Sequence, residues 1–443
     1  MPALPVRFHS RWLLLVLMAG AVVALSMAAR GAELKLLRIG TAGDYAPFST
    51  AQEGKPAYRG FDIAVAEAFA HDCGYTIAWV AFRWPALNAD LAAGRFDVAM
   101  SGITVRPERS AIGRFSVPVM TSGAVLLYKV AAFARLPAAS LAITPESLSR
   151  FDRAGVHIAV NQGGHLEQVA RAHFSKATVL VIPDNAGVRL ALVDGTADAV
   201  VTDSLEAPHW LKTLSGVATF GPFTEDRKAY WWAADKGVLA GELDSWLVAR
   251  EANGTLAHLR AAVLGISTLP STADPLHALL AAIDERLALM PWVARSKRAG
   301  GIAIEDRAQE SRVLAASWQD VQHAAQRAEL EPPGQAQVTA LYGSLIEAAK
   351  QVQRRAVESN NAPQNDEPRA KASDLQEVLR PALLRIDERL AGLLVALHQE
   401  PAPANLTAET AHALRAHELE QTSLAEINAA ISAIPRQTQL VPE

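Results

Sequence analysis

The hydrophobic pattern of this chain changes period once, near residue 266, and that change limits the fold more than any single motif does. Before it, short β-type runs at residues 36–40, 98–101, 157–160 and 199–202 alternate with amphipathic stretches such as 61–70 and 166–173. Strands alternating with helices argue for parallel α/β layers. Gly94-Arg-Phe-Asp-Val-Ala-Met and Gly195-Thr-Ala-Asp-Ala-Val-Val echo each other, which suggests two similar lobes with a ligand cleft between them. After the change, strand signals vanish. Residues 276–298, 304–327, 335–357 and 375–398 are rich in alanine and leucine, with a 3.6-residue period. The expected fold class is a two-lobed α/β domain followed by an all-α helical domain.

Composition trims the alternatives. A length of 443 residues is a prior of two to four domains. A formal charge of −4 leaves no basic footprint for nucleic acid, and the single cysteine, Cys73, excludes an internal disulfide framework and a cysteine-based zinc cluster. Arg7 and Arg11 precede an apolar run that ends in small residues around Ala28, the pattern of a signal peptide over 1–32, with a membrane anchor as the alternative. The mature chain is then expected to be exported, into the periplasm of a Gram-negative host, and to have no membrane association after cleavage. The expected domains are 33–266 and 274–436, joined by a Ser/Thr/Pro linker at 267–273.

Ordered motifs in the first part resemble the polar amino-acid-type periplasmic binding proteins: Ile39-Gly-Thr-Ala-Gly-Asp-Tyr-Ala-Pro-Phe-Ser, Gly60-Phe-Asp, Ser101-Gly-Ile-Thr-Val-Arg-Pro-Glu-Arg and Phe115-Ser-Val-Pro. Within that fold, Trp84-Pro-Ala-Leu, Asn161-Gln-Gly-Gly, Pro183-Asp-Asn and Thr202-Asp-Ser-Leu-Glu-Ala are similar to the cyclohexadienyl dehydratases, the enzyme branch of the family. The resemblance implies conversion of prephenate to phenylpyruvate, and of arogenate to phenylalanine.

A dicarboxylate substrate asks for fixed positive or N–H-rich contacts. Arg109 is the candidate clamp, with Ser101 and Thr104 as hydroxyl donors and Gly163-Gly164 as backbone donors at a helix start. Loss of the ring hydroxyl needs an acid that stays protonated near neutral pH, and burial moves a glutamate that way. Glu206 is that candidate, at the position where the resemblance puts the family's proton donor; an ordinary first-turn glutamate is the alternative. Asp203 takes an amino group in the binding-protein relatives and here either holds a ring hydroxyl or caps a helix. Tyr45 and Trp84 are candidates for the ring pocket, with core packing as the alternative for each, Asp44 is a further substrate-binding candidate, and Lys228 either adds charge to the cleft or lies on the surface.

The helical part carries a second constellation. Arg286 and Lys297 fall on the apolar stripe of Leu279, Ile283, Met290 and Val293, three turns apart, with Pro291 expected to kink the helix between them. Gln353 shares the stripe of Leu341, Leu345 and Val352, and Arg380 borders that of Leu383, Leu390 and Leu394. Charges on a core-facing stripe need an anion, so the set points to a pocket for a small dianion.

Glu285-Arg-Leu, Val293-Ala-Arg-Ser-Lys, Ile304-Glu-Asp, Ile346-Glu-Ala-Ala-Lys-Gln-Val-Gln and Arg380-Pro-Ala resemble the exported, all-helical chorismate mutases. The resemblance implies that Arg286 and Arg380 bind carboxylates, that Lys297 and Gln353 hold the ether oxygen, and that Asp306 sits near the substrate hydroxyl. Gln309 stands where that family has arginine, and Arg312, one turn on, is the candidate substitute. A pericyclic rearrangement needs no cofactor or metal. Joined, the two resemblances imply an exported bifunctional enzyme: chorismate to prephenate, then prephenate to phenylpyruvate. The alternative is a non-catalytic amino-acid-binding module with a helical partner domain. Chorismate, prephenate and arogenate are the implied small-molecule partners, with monomer and homodimer both left open.

Overall fold

The computed structural model describes residues 35–52, 54, 57–133, 144–265, 272–359, 371–401 and 405–436. The signal-peptide segment at 1–32 and most of the 267–273 linker lie outside them. Lobe 1 is a five-stranded sheet in the order β5-β1-β6-β15-β7, built from β1 (Lys35–Thr41), β5 (Tyr75–Ala81), β6 (Val98–Ala99), β7 (Arg114–Phe115) and β15 (Trp231–Trp232). A small ribbon of β2 (Asp44–Tyr45), β3 (Ser49–Ala51) and β4 (Tyr58–Arg59) lies beside it. Helices α1 (Phe61–Cys73), α2 (Leu87–Ala92), α3 (Pro107–Ile112), α8 (Gly237–Ala252) and α9 (Thr255–Leu264) belong to this lobe.

Lobe 2 repeats the plan. Its sheet runs β11-β10-β12-β9-β13, from β9 (Ala124–Lys129), β10 (His157–Asn161), β11 (Thr178–Ile182), β12 (Ala199–Asp203) and β13 (Val217–Phe220). Its helices are α4 (Pro145–Ser149), α5 (His165–His173), α6 (Asn185–Asp194) and α7 (Ala207–Leu211). The chain crosses between lobes along β8 (Met120–Ser122) and returns along β14 (Asp226–Lys228), which pair antiparallel as a hinge ribbon. Neither sheet is wholly parallel: β9 and β15, the first strands after each crossing, enter antiparallel to β12 and β6. The strand signal at 98–101 is cut to β6 because the chain turns at Gly102, whose φ is +64°. A Cβ there would sit 2.7 Å from the Tyr45 ring, so the turn requires glycine.

The helical domain comprises α10 (Pro275–Ala288), α11 (Met290–Ala299), α12 (Arg307–Ala328), α13 (Gln335–Glu358), α14 (Arg380–His398), α15 (Leu406–Leu414) and α16 (Gln421–Ser432). A π-helical turn, Leu375–Leu379, leads into α14. Asp274 caps α10, accepting from the His277 N–H at 3.1 Å, and Pro275 occupies the first turn, where a missing N–H is harmless. The periodicity predicts one helix over 276–298. The chain instead breaks at Leu289, because Pro291 withholds an N–H and crowds the preceding turn.

This domain shares one core with lobe 1: Phe96, Phe115, Trp231, Leu279, Leu341 and Leu390 belong to a single buried cluster, whereas lobe 2 packs around separate ones. The seam between them is charged. Glu285 accepts from the Ser110 hydroxyl at 2.7 Å and pairs with Arg389, while Arg385 donates to the Ser110 and Gly113 carbonyls at 3.0 and 3.1 Å. No helix among the described residues is long and apolar enough to cross a membrane.

Candidate functional site

The cleft between the lobes is walled by Tyr45, Trp84, Thr104 and Arg109 from lobe 1, by Asn161, His165 and Asn185 from lobe 2, and by Lys228 from the hinge. The lobes are in contact across it. Asn185 Nδ2 donates to the Asp44 carbonyl at 3.3 Å, and Gly163 lies so close to Pro85 that an added Cβ would sit 2.6 Å from its Cα. The Trp84 indole N–H donates to Asp44 Oδ1 at 3.1 Å and its ring meets Tyr45 edge-on at 5.6 Å.

Arg109 is buried on α3. Its Nη1 donates to the Thr104 carbonyl at 3.0 Å, its guanidinium lies 5.8 Å from the Trp231 ring centroid, and its Nε has no hydrogen-bond partner among the described residues. Burial, aided by nearby Arg106, lowers it to about 9, which still leaves it charged at neutral pH. The Asn161 Oδ1 on the opposite wall is likewise buried and unpartnered. Buried polar atoms of this kind favour a polar ligand that satisfies them.

Lys228 Nζ lies 2.9 Å from Asp203 Oδ2, donates to Thr104 Oγ1 at 2.9 Å, and reaches the Tyr45 hydroxyl at 3.3 Å. Asp203 is further held by the Ser122 hydroxyl at 2.8 Å and the Leu205 N–H at 2.8 Å. Glu206 stands one turn behind, fully buried before α7, where the Thr202 hydroxyl donates to its Oε2 at 2.6 Å. Burial lifts its carboxyl well above the ordinary glutamate value, and the Asp203 and Asp44 carboxylates lift it further; Thr202 and Lys228 pull it back in part. The balance favours its protonated acid over the carboxylate. On the other side, His165 Nε2 lies 2.9 Å from Asp226 Oδ1. Burial pushes Asp226 upward, but the His165 ring, Lys228 and the Thr224 hydroxyl outweigh it and hold the carboxyl down.

In the helical domain, Lys297 Nζ donates to the Ile304 carbonyl at 2.7 Å. Burial lowers Lys297, and Arg380 and Lys350 lower it further against the carboxylates of Asp306 and Glu310, which places all five groups in one field. Arg286 is buried and meets Asp387, Nε to Oδ1 at 3.1 Å, with its Nη1 unpartnered. Gln353 is also buried: its Nε2 lies 3.5 Å from the Met290 sulfur and its Oε1 has no partner.

Comparison with known proteins places the first half of the chain. Residues 37–266 match the family described as bacterial extracellular solute-binding proteins, family 3. This chain belongs to that family. A cyclohexadienyl dehydratase of Pseudomonas aeruginosa is 36% identical over 227 residues, which is 51% of this chain and 81% of that protein. A probable histidine-binding protein of Campylobacter jejuni is 28% identical over 200 residues, 45% of this chain and 72% of its own length. Among solved structures, an ancestral amino-acid-binding protein described as a precursor of cyclohexadienyl dehydratase is 31% identical, covering 52% of this chain and 95% of its own, with a TM-score of 0.47.

Within this family-3 domain the structure gathers Tyr45, Trp84, Thr104, Arg109, Gly164 and Lys228 around the cleft, with Asp44, Asp203 and Glu206 against its walls. Two of the expected donor residues have partners of their own. The Ser101 hydroxyl accepts from the Ala42 N–H at 3.1 Å, and the Gly163 N–H donates to Glu167 Oε2 at 2.7 Å. In the helical domain, Asp306 caps α12, accepting from the Gln309 N–H at 2.9 Å, and exposed Arg312 bonds Gln309 Oε1 at 2.9 Å instead of turning inward. Arg380 Nη1 donates to Gln376 at 2.8 Å. Arg286 and Lys297 do not share a continuous helix, because the break at Leu289 falls between them. Asn161 and Asn185 were legible only as members of motifs, and Asp226 had no signal at all; nothing in their spacing marks them as cleft residues. Asp387, the buried partner of Arg286, had its signal in an Asp placed among the leucines of α14.

Proposed function

We propose that the cleft of the family-3 domain converts prephenate to phenylpyruvate, with Glu206 as the proton donor. The carrying observation is a buried carboxyl, pushed towards its protonated form, beside a cation set that suits a dicarboxylate. Arg109 binds one carboxylate, its unpartnered Nε adding a second donor. Glu206 gives its proton to the departing ring hydroxyl, which leaves as water while the ring carboxylate leaves as carbon dioxide and the ring becomes aromatic. The Glu206 carboxylate so formed is stabilised by Lys228 and Thr202, and is reprotonated from solvent. Identity to the dehydratase of Pseudomonas aeruginosa supports this reading. Asp203 also favours it over amino-acid binding. The carboxylate that would take an α-amino group is already neutralised by Lys228.

The helical domain is proposed to supply the substrate by rearranging chorismate, with Arg286, Lys297, Gln353 and Arg380 around the dianion. This rests on the motif resemblance, together with the buried unpartnered atoms of Arg286 and Gln353. The protein so read is exported and works on both small molecules as one chain. The test is a coupled assay, chorismate in and phenylpyruvate out, with prephenate supplied separately. Prephenate unchanged by the purified protein, or an amino acid bound tightly without turnover, sinks the dehydratase reading. Chorismate left unchanged, or consumed equally by Lys297→Ala, sinks the mutase reading.

A further inference from the structure

The hinge strand β14 faces two ways. Side chains alternate along a strand. Asp226 and Lys228 point into the cleft, where they meet His165, Asp203 and Thr104. Glu225 and Arg227 point to the other side, into the helical domain. Arg227 pairs with Asp284 on α10, and the same carboxylate receives His417 Nε2 at 2.8 Å. Arg227 Nη2 also reaches the Ala413 carbonyl at 3.5 Å, while Glu225 pairs with Arg415 and lies 3.1 Å from His412 Nε2. Burial pushes Asp284 upward, but His417 and Arg227 together hold its carboxyl down, the mark of a stable pair of counter-charges. The backbone is tied as well: the Arg227 carbonyl accepts from the Val105 N–H at 2.9 Å, and Arg227 lies opposite Thr121 of β8.

We propose that the helical domain is a clamp on this hinge strand, and that Arg227, held by Asp284, is a positioning residue for the cleft. Its own side chain never reaches the ligand. It acts through Lys228 and Asp226, the adjacent residues that carry charge into the cleft. The two domains are thereby coupled mechanically: the helical domain shares its core with lobe 1 and also grips the strand along which lobe 2 must swing. With the clamp released, β14 gains freedom, and Lys228 no longer stands ready between Asp203 and Thr104. The effect on turnover rests on the reading of the cleft as the prephenate site.

Three variants of the full chain test this: Arg227→Met, Asp284→Asn and the double variant, with Arg227→Lys as the conservative control. Two readouts are needed. Amide exchange over residues 224–230 in the ligand-free protein reads the clamp without reference to any reaction. It should accelerate about tenfold in each single variant, be no faster in the double, and return towards wild type in Arg227→Lys. Steady-state turnover of prephenate should show kcat/KM lowered about tenfold, with recovery in Arg227→Lys and again no further loss in the double variant. Unchanged exchange in folded variants overturns the clamp, and so do additive effects in the double variant. An unchanged kcat/KM in variants whose exchange has accelerated overturns the positioning role. If the wild-type protein leaves prephenate untouched, the function proposed above fails, and the exchange data alone decide the clamp.

Discussion

A glutamate in an unfolded chain is ionised at neutral pH, whereas burial in the fold pushes Glu206 towards its protonated form, so folding favours proton uptake there. The sign follows from linkage: with the folded value raised, its contribution to stability is full below the ordinary glutamate value and is lost as pH rises through the folded value. Glu206→Gln has no proton to take up. Its melting temperature relative to the wild type should therefore climb as pH rises above the ordinary glutamate value, measured by thermal melts across a pH series. The same substitution should lower kcat for prephenate by about 10²–10⁴-fold, the usual weight of a general acid. A variant that keeps full turnover removes Glu206 from the chemistry. Glu206 was legible in sequence through its motif. The groups that raise it were not, because Asp44, Asp203 and the burial itself come together only in the folded chain. Arg286 shows the opposite case. A charge on an apolar stripe announced a partner, and the structure names an internal one, Asp387.

At the scale of elements, the link between β10 and α5 matters most. Gly163 has φ +72° and meets Pro85 of lobe 1, whereas Gly155 in the same lobe has φ +84° and nothing near it. Gly163→Ala and Gly155→Ala share the left-handed strain of about 1–2 kcal/mol, but only the first obstructs contact between the lobes. Ligand affinity should fall about tenfold or more in Gly163→Ala and stay within about twofold in Gly155→Ala, by titration with prephenate. Equal losses in both would mean that strain, not lobe contact, is responsible. The strands and helices of the α/β part were legible because their periods are local. The break at Leu289 was only half legible: Pro291 announces a kink, but whether the chain bends or starts a new helix depends on what packs against it. α15 and α16 are short, at 9 and 12 residues, and carry too few turns for a helical period to stand out in the sequence.

At the scale of the molecule, the continuous core makes lobe 1 and the helical domain one cooperative unit. Glu285 sits at its seam, and removing its charge takes the ion-pair partner from buried Arg389 and leaves Asp244 as its neighbouring carboxylate, a change worth up to about 3–5 kcal/mol. Glu285→Gln should lower the melting of both together, seen as one shifted transition by calorimetry. Two transitions in which only the helical domain moves would show that the domains unfold independently. The sequence by itself determined the two halves, their fold classes, and the cations and carboxylates available to each. Those follow from hydrophobic period and residue type, which are properties of neighbours along the chain. Only the tertiary structure decided which charges meet, that Asp203 is taken by Lys228, and that a hinge strand serves two domains at once. Such pairings join residues far apart in sequence, and their energies depend on burial and distance, which local pattern does not encode.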